Sequence, residues 1–232
     1  MDRQRLLDWL FPRKCPFCGR VSGSDLPCED CQTTLPWLTG AAAVSHVEFT
    51  EVTVSALAYR GKVRNAVRGM KFGKKLSRAK PLGVLIAQCV ADHLSGPFDF
   101  VSYPPLSAKH LRQRGFDQGE LLAQEVAASM GKQVSSLFVK ENRPAQSLLV
   151  DTAERKANIL GAYRLRDAAA VVGKDVLLVD DVVTSGATLS ECAHVLLAAG
   201  ARRVCAVTLA RGGMYDERND KTDSEHRKAR GK

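Results

Sequence analysis

Apolar residues recur along the chain at two different periods, and the alternation between those periods predicts its architecture. Runs of β-branched and small apolar residues read as strands at about 52–59, 98–103, 137–139, 176–179 and 203–209. Between them the apolar positions take helical spacing, at about 61–71, through Leu82, Leu85, Ile86 and Val90, at 118–130, and at 188–199 with Gly200 as the stop. Strands alternating with helices predict an α/β fold, a parallel, doubly wound sheet with helices on both faces. Ahead of it, Leu6, Leu7, Trp9 and Leu10 cluster as on a short amphipathic helix that Pro12 ends, and residues 38–50 carry no strong period. Beyond Arg211 the chain is highly charged with almost nothing to bury, so a disordered tail is expected. The reading divides the chain into a head at 1–40, a main domain at 50–211 and a tail at 212–232.

Composition narrows the class. Hydrophobic residues are 45% of the 232 and charged residues 25%, the balance of a chain with a packed core. No apolar stretch approaches the roughly 18 to 20 residues of a membrane span, and the N-terminus lacks a signal-like core, so a cytoplasmic location is expected. A net charge of +9 points to polyanionic partners, either phosphorylated small molecules or nucleic acid.

Seven cysteines are an odd number, and Cys15, Cys18, Cys28 and Cys31 crowd into one short segment. Two C-x-x-C knuckles at this separation allow four thiolates to close a tetrahedron around Zn²⁺ in a segment too small for its own core. A redox-active pair or an iron–sulfur cluster would use the same residues. The doubled motif and the lack of a thioredoxin-like context favour zinc, and a closed four-thiolate site makes that zinc structural.

The segment VLLVDDVVTSGATL carries the most chemistry. A buried strand runs into Asp180 and Asp181, and a small, hydroxyl-rich turn then opens a helix. Ligands of open α/β sheets bind beyond the carboxyl ends of strands. Amides of Thr184, Ser185, Gly186, Ala187 and Thr188 at a helix N-terminus suit a phosphate. Paired carboxylates suit vicinal ribose hydroxyls, directly or through Mg²⁺. A Walker B strand or a receiver-domain acidic pair also places Asp-Asp after an apolar strand, but no G-x-x-x-x-G-K-[ST] loop accompanies this one. The segment resembles the phosphoribosyl pyrophosphate (PRPP) signature of type I phosphoribosyltransferases.

Basic residues are concentrated in two places. No acid occurs between Val52 and Ala91, where Arg64, Arg68 and Lys71 share one side of the expected helix and Lys74 and Lys75 follow it. This makes the stretch a candidate nucleic-acid surface, with a merely solvated basic helix as the plain alternative. Lys109, His110, Arg112 and Arg114 follow Pro104-Pro105 and read as a mobile loop whose arginines neutralise departing pyrophosphate.

Together the four-cysteine head, Tyr59-Arg60-Gly61 with downstream Lys71, Pro105-Leu106, the run from Arg112 to Gln118, Gln146 with Arg155 and Asn158, and the Asp-Asp loop resemble the ComF family. The resemblance implies a zinc ribbon on a type I phosphoribosyltransferase-like domain. It also implies PRPP binding at Asp180, Asp181 and Thr184 to Thr188, and a pyrophosphate-side role for Tyr59, Arg60, Gly61, Arg112 and Arg114. In transformable bacteria it implies handling of incoming single-stranded DNA beside a helicase or recombination protein. Two functions follow as expectations: a PRPP-dependent transferase with Asp180, Asp181, Arg112 and Arg114 at the chemistry, or a non-catalytic DNA-binding adaptor. Neither names the acceptor.

Overall fold

A computed structural model describes residues 12–24, 26–72, 76–141 and 161–213. The expected N-terminal helix, Lys74, Lys75, Gln146, Arg155, Asn158 and the tail beyond residue 213 lie outside them.

In chain order the described elements are α1 (Glu29–Thr34), β1 (Val44–Ser45), β2 (Val52–Ala58), α2 (Gly61–Phe72), α3 (Ala79–His93), β3 (Phe100–Ser102), α4 (Ala108–Arg114), α5 (Gln118–Ser129), β4 (Phe138–Lys140), β5 (Tyr163–Leu165), β6 (Asp175–Val183), α6 (Ala187–Ala198) and β7 (Arg203–Arg211). Five strands form one sheet in the order β1-β2-β7-β6-β3. Three parallel pairings, β2 with β7, β7 with β6 and β6 with β3, bear out the doubly wound expectation, and β1 is added antiparallel at the edge.

Alternating side chains of the central strands feed two cores, one on each face. On one face Leu177, Val179, Val207 and Leu209 pack with Val63, Val67 and Met70 of α2, Leu82 and Ile86 of α3, and Leu122 and Val126 of α5. On the other, Val176, Leu178, Val204 and Ala206 pack with Leu189, Cys192 and Leu196 of α6 and with Phe138 and Tyr163. Because β6 and β7 are buried on both faces, their sequence is a nearly continuous apolar run instead of an alternating one.

The structure corrects four local expectations. Residues 38–50 hold strand β1, and Leu38 N–H donates to the Ala56 carbonyl at 2.9 Å. The strand at 137–139 leaves the main sheet and pairs antiparallel with β5. The cationic segment after Pro105 is no mobile loop but helix α4, because Ser107 caps its start and Gly115, at φ 81°, stops it. Strand β6 runs on through both aspartates to Val183, so the connecting turn is only Thr184 to Gly186.

The cysteine head is built onto the first core. Cys15, Phe17, Cys31 and Leu35 are buried in it, and Trp37 bridges to Leu57 of β2.

Candidate functional site

Parallel strands put all their carboxyl ends at one edge of the sheet, and there the segments predicted to carry chemistry gather. Tyr59-Arg60-Gly61 follows β2, Pro104 to Arg114 follows β3, and the Thr184 to Gly186 turn follows β6.

The turn is shaped by small residues. Gly186 sits at φ 75°, where L side chains are strained, and a Cβ there would meet a Val47 methyl at 3.0 Å. Gly212, just past β7, backs the turn: its N–H donates to the Val183 carbonyl at 2.8 Å, and a Cβ on it would lie 3.0 Å from the Thr184 methyl. Thr184 and Ser185 are exposed, Thr188 is half-buried, and Gly186 and Ala187 are buried. Gly186 offers α6 no side-chain cap, and Ser185 Oγ accepts from the Ala187 N–H at 3.5 Å. Hydroxyls and helix-start amides therefore meet at one turn, the arrangement that suits a phosphate.

Asp180 and Asp181 are neighbours on an extended strand, so their side chains leave on opposite faces of the sheet. Each meets its own set of partners. Asp181 is buried and its Oδ1 pairs with Lys71 Nζ of α2 at 2.8 Å, while its buried Oδ2 has no hydrogen-bond partner among the described residues. Asp180 accepts the Asp181 N–H at 2.8 Å. Its charge is felt on the other face by Lys140, Tyr163 and Cys192, with Lys140 Nζ donating to the Tyr163 hydroxyl at 2.8 Å. Asp180 keeps some surface but is closely surrounded. Enclosure, and then the charge of Asp181, raise its carboxyl to about 7, against the opposing pull of Lys71. Burial lowers the Lys140 ammonium and raises the Tyr163 phenol and the Cys192 thiol.

Around this pair the other predicted residues separate. Tyr59 is half-buried, with its N–H on the Arg211 carbonyl at 2.8 Å, and Arg60 is exposed in the turn ahead of α2. Gly61 takes φ 47° to start that helix. Arg112 is exposed on α4, whereas Arg114 is half-buried, donates to Gln118 Oε1 at 2.7 Å and stacks over Phe72. The expected basic stripe divides: Arg68 is exposed and Arg64 half-buried, while Lys71 turns inward to Asp181.

Sequence reasoning missed Lys140, Tyr163 and Asp117. Lys140 ends the strand read at 137–139, one residue past its expected bound, and Tyr163 opens a three-residue strand with no signal of its own. Asp117 was legible as a helix cap: it accepts the Gly119 and Glu120 N–H groups, and also the Leu106 N–H at 2.7 Å, which ties the segment after β3 to α5. Burial outweighs those hydrogen bonds and raises its carboxyl.

The second site is the head. The sulfurs of Cys15, Cys18, Cys28 and Cys31 all lie within 4.8 Å of one another, as one tetrahedral ion requires. Lys14 pairs with Val21 across the first knuckle, and Gly19 N–H donates to the Cys15 carbonyl at 2.9 Å; Cys28 caps α1, which carries Cys31. The Arg20 backbone N–H leads in lowering the Cys18 thiol to about 6, and burial raises Cys31 to about 12. Lys62 Nζ approaches Cys31 Sγ at 3.8 Å, adding a cation beside a cluster that becomes anionic on binding metal. The donor set fits a structural Zn²⁺.

Residues 117–230 match the phosphoribosyl transferase domain and residues 6–42 the double zinc ribbon domain. The chain is therefore a zinc ribbon joined to a phosphoribosyltransferase fold. It is 33% identical over 205 residues to the DNA utilization protein YhgH of Salmonella typhi, covering 85% of this chain and 83% of that one. The DNA utilization protein YhgH of Escherichia coli K12 is 32% identical over the same shares, and the competence protein ComFC of Bacillus subtilis is 26% identical over 85% of this chain and 77% of its own. The chain belongs to the ComF family, as its motifs led one to expect. Among the described residues no helix is long and apolar enough to cross a membrane.

Proposed function

We propose that this protein binds PRPP with Mg²⁺ at the carboxyl edge of its sheet and acts in DNA utilization by handling single-stranded DNA. The observation that supports it best is the union of a hydroxyl-lined helix start with a carboxylate whose buried oxygen, Asp181 Oδ2, lacks a partner among the described residues. The 5′-phosphate would sit on the Thr184 to Thr188 turn, with the ribose hydroxyls on Asp180 and Asp181. Mg²⁺ fits the same set, because a hard cation seeks carboxylate oxygen and Asp181 has one to give. Bound there it would supply charge neutralisation for the pyrophosphate. On the protein's side, Arg60 and Arg112 are exposed cations at that edge. If transfer occurs, they offset the charge that develops as the bond from C1 to pyrophosphate stretches.

The pairing of Asp181 with Lys71 favours a second version, in which PRPP is sensed by an adaptor and not consumed. A ligand that takes Asp181 must compete with a cation of α2, which couples the pocket to the basic helix. The two versions separate in one assay of PRPP and Mg²⁺ with single-stranded DNA and candidate acceptors. Pyrophosphate release supports turnover; saturable binding without release supports the adaptor. Failure of PRPP to bind in any condition overturns both.

A further inference from the structure

Helix α2 hides its apolar side chains with one exception. Val63, Ala66, Val67 and Met70 are buried in the first core, whereas Phe72, its last residue, is 71% exposed. Arg114 of α4 lies over its ring with the guanidinium carbon 5.3 Å from the centroid, and that guanidinium is held in place by Gln118 Oε1 at 2.7 Å. One side of the ring is thus braced by a fixed cation while most of its surface stays open. The surroundings are cationic: Arg68, one turn back on α2, is exposed, as is Arg112 on α4, and the chain carries no acid from Val52 to Ala91.

We infer that Phe72, braced by Arg114, is a stacking platform for a base of single-stranded DNA, with Arg68 and Arg112 contacting its backbone. The inference rests on the DNA reading above and assigns it a residue. Proteins that hold single strands pair cations that track phosphates with aromatic faces that stack on bases. An exposed aromatic flanked by exposed cations, with Asp117, the acid whose charge reaches Arg114, buried, suits a polyanion that can offer it an open base face. A duplex keeps its bases stacked on one another and offers the ring no face. The platform is also next to the pocket: the residue before Phe72 is Lys71, which holds Asp181.

The test is fluorescence anisotropy of the full chain with labelled oligo-dT, an abasic oligonucleotide of equal length and a duplex, each across a salt series. The unaltered protein should prefer oligo-dT to the abasic strand. Phe72→Ala should remove that preference and weaken oligo-dT binding about tenfold, the loss expected for one stacked base. Its salt slope, its duplex affinity and its melting temperature should stay as they were. Phe72→Trp should keep the affinity and add a tryptophan signal quenched by oligo-dT. Arg68→Gln with Arg112→Gln should do the converse, flattening the salt slope for both single strands. If the unaltered protein binds oligo-dT and Phe72→Ala binds it equally well, the platform is wrong while the DNA reading stands. If the unaltered protein binds no single strand, the DNA reading falls and the platform with it.

Discussion

The cysteine head and the acidic pair are both small clusters of ionisable side chains, yet they are assembled in opposite ways. In the head the four ligands come from one short segment, and the hairpin of the first knuckle and the cap of α1 set their spacing. Metal binding there is folding free energy, because the segment has little core of its own. In the pair, two carboxylates adjacent in sequence are sent to opposite faces of a strand, and their partners arrive from distant elements: Lys71 of α2 for one, and the Lys140 and Tyr163 side for the other. The head gains stability by collecting like charges around a cation. The pair holds acids at a cost, offset in part by Lys71, in a place where a ligand can use them.

The sharpest break between the two should come from removing the metal. Chelation, or Cys31→Ser, should cost the head on the order of 10 kcal/mol of metal-linked stability. The damage should spread inward, since Cys15, Phe17, Cys31 and Leu35 belong to the first core. Elemental analysis should find one equivalent of zinc per chain, and a calorimetric scan of the chelated protein should show a lost or broadened low-temperature transition. A protein that melts identically with and without chelator would place the head's stability elsewhere.

A smaller effect is expected at the pair. Lys71→Met leaves Asp181 buried without its cation, which should cost about 3 kcal/mol in a denaturant melt. Adding Asp181→Asn should restore most of that loss, because the stranded charge is gone. Non-restoration would show that Lys71 contributes packing instead of charge.

The pair should also show a pH dependence, at Asp180. Its carboxyl rises to about 7 in the folded chain, from an ordinary unfolded value of 3.8. The folded state then binds the proton more tightly. Stability from this group is fully present below the unfolded value and is lost as pH rises through about 7. Asp180→Asn, which cannot ionise but can still accept the Asp181 N–H, should match the unaltered protein near pH 4 and become the more stable of the two above pH 7. Melting curves across that range check it, and an Asn variant that is less stable at pH 8 would contradict it.

What the sequence made legible follows the same division. The head's cysteines and the Asp-Asp turn are local, so spacing alone singled them out as candidates, and the apolar runs of β6 and β7 announced a sheet buried on both faces. Strand β5 was not legible, because its three residues carry too few positions for a period, and Lys140 and Tyr163 were missed because they meet only through the pairing of β4 with β5. Lys71 was placed on the basic face of its helix by its spacing from Arg64 and Arg68, yet its long stem lets the ammonium reach inward to Asp181, a choice that tertiary contact makes. That contact also revises a simple expectation. Neutralising acids at a strand end should raise stability when they only repel, but Asp181→Asn alone strands Lys71 and should lower it.

The central claim, that the Asp180 and Asp181 pair with the Thr184 to Thr188 turn forms a PRPP site, is tested most directly by calorimetric titration of PRPP with Mg²⁺ into the zinc-loaded full chain and its Asp180→Asn, Asp181→Asn double variant. The account predicts saturable binding at one site in the unaltered protein and its loss in a variant that retains zinc and a cooperative melt. Equal binding by the folded double variant, or no binding by the unaltered protein, would contradict it.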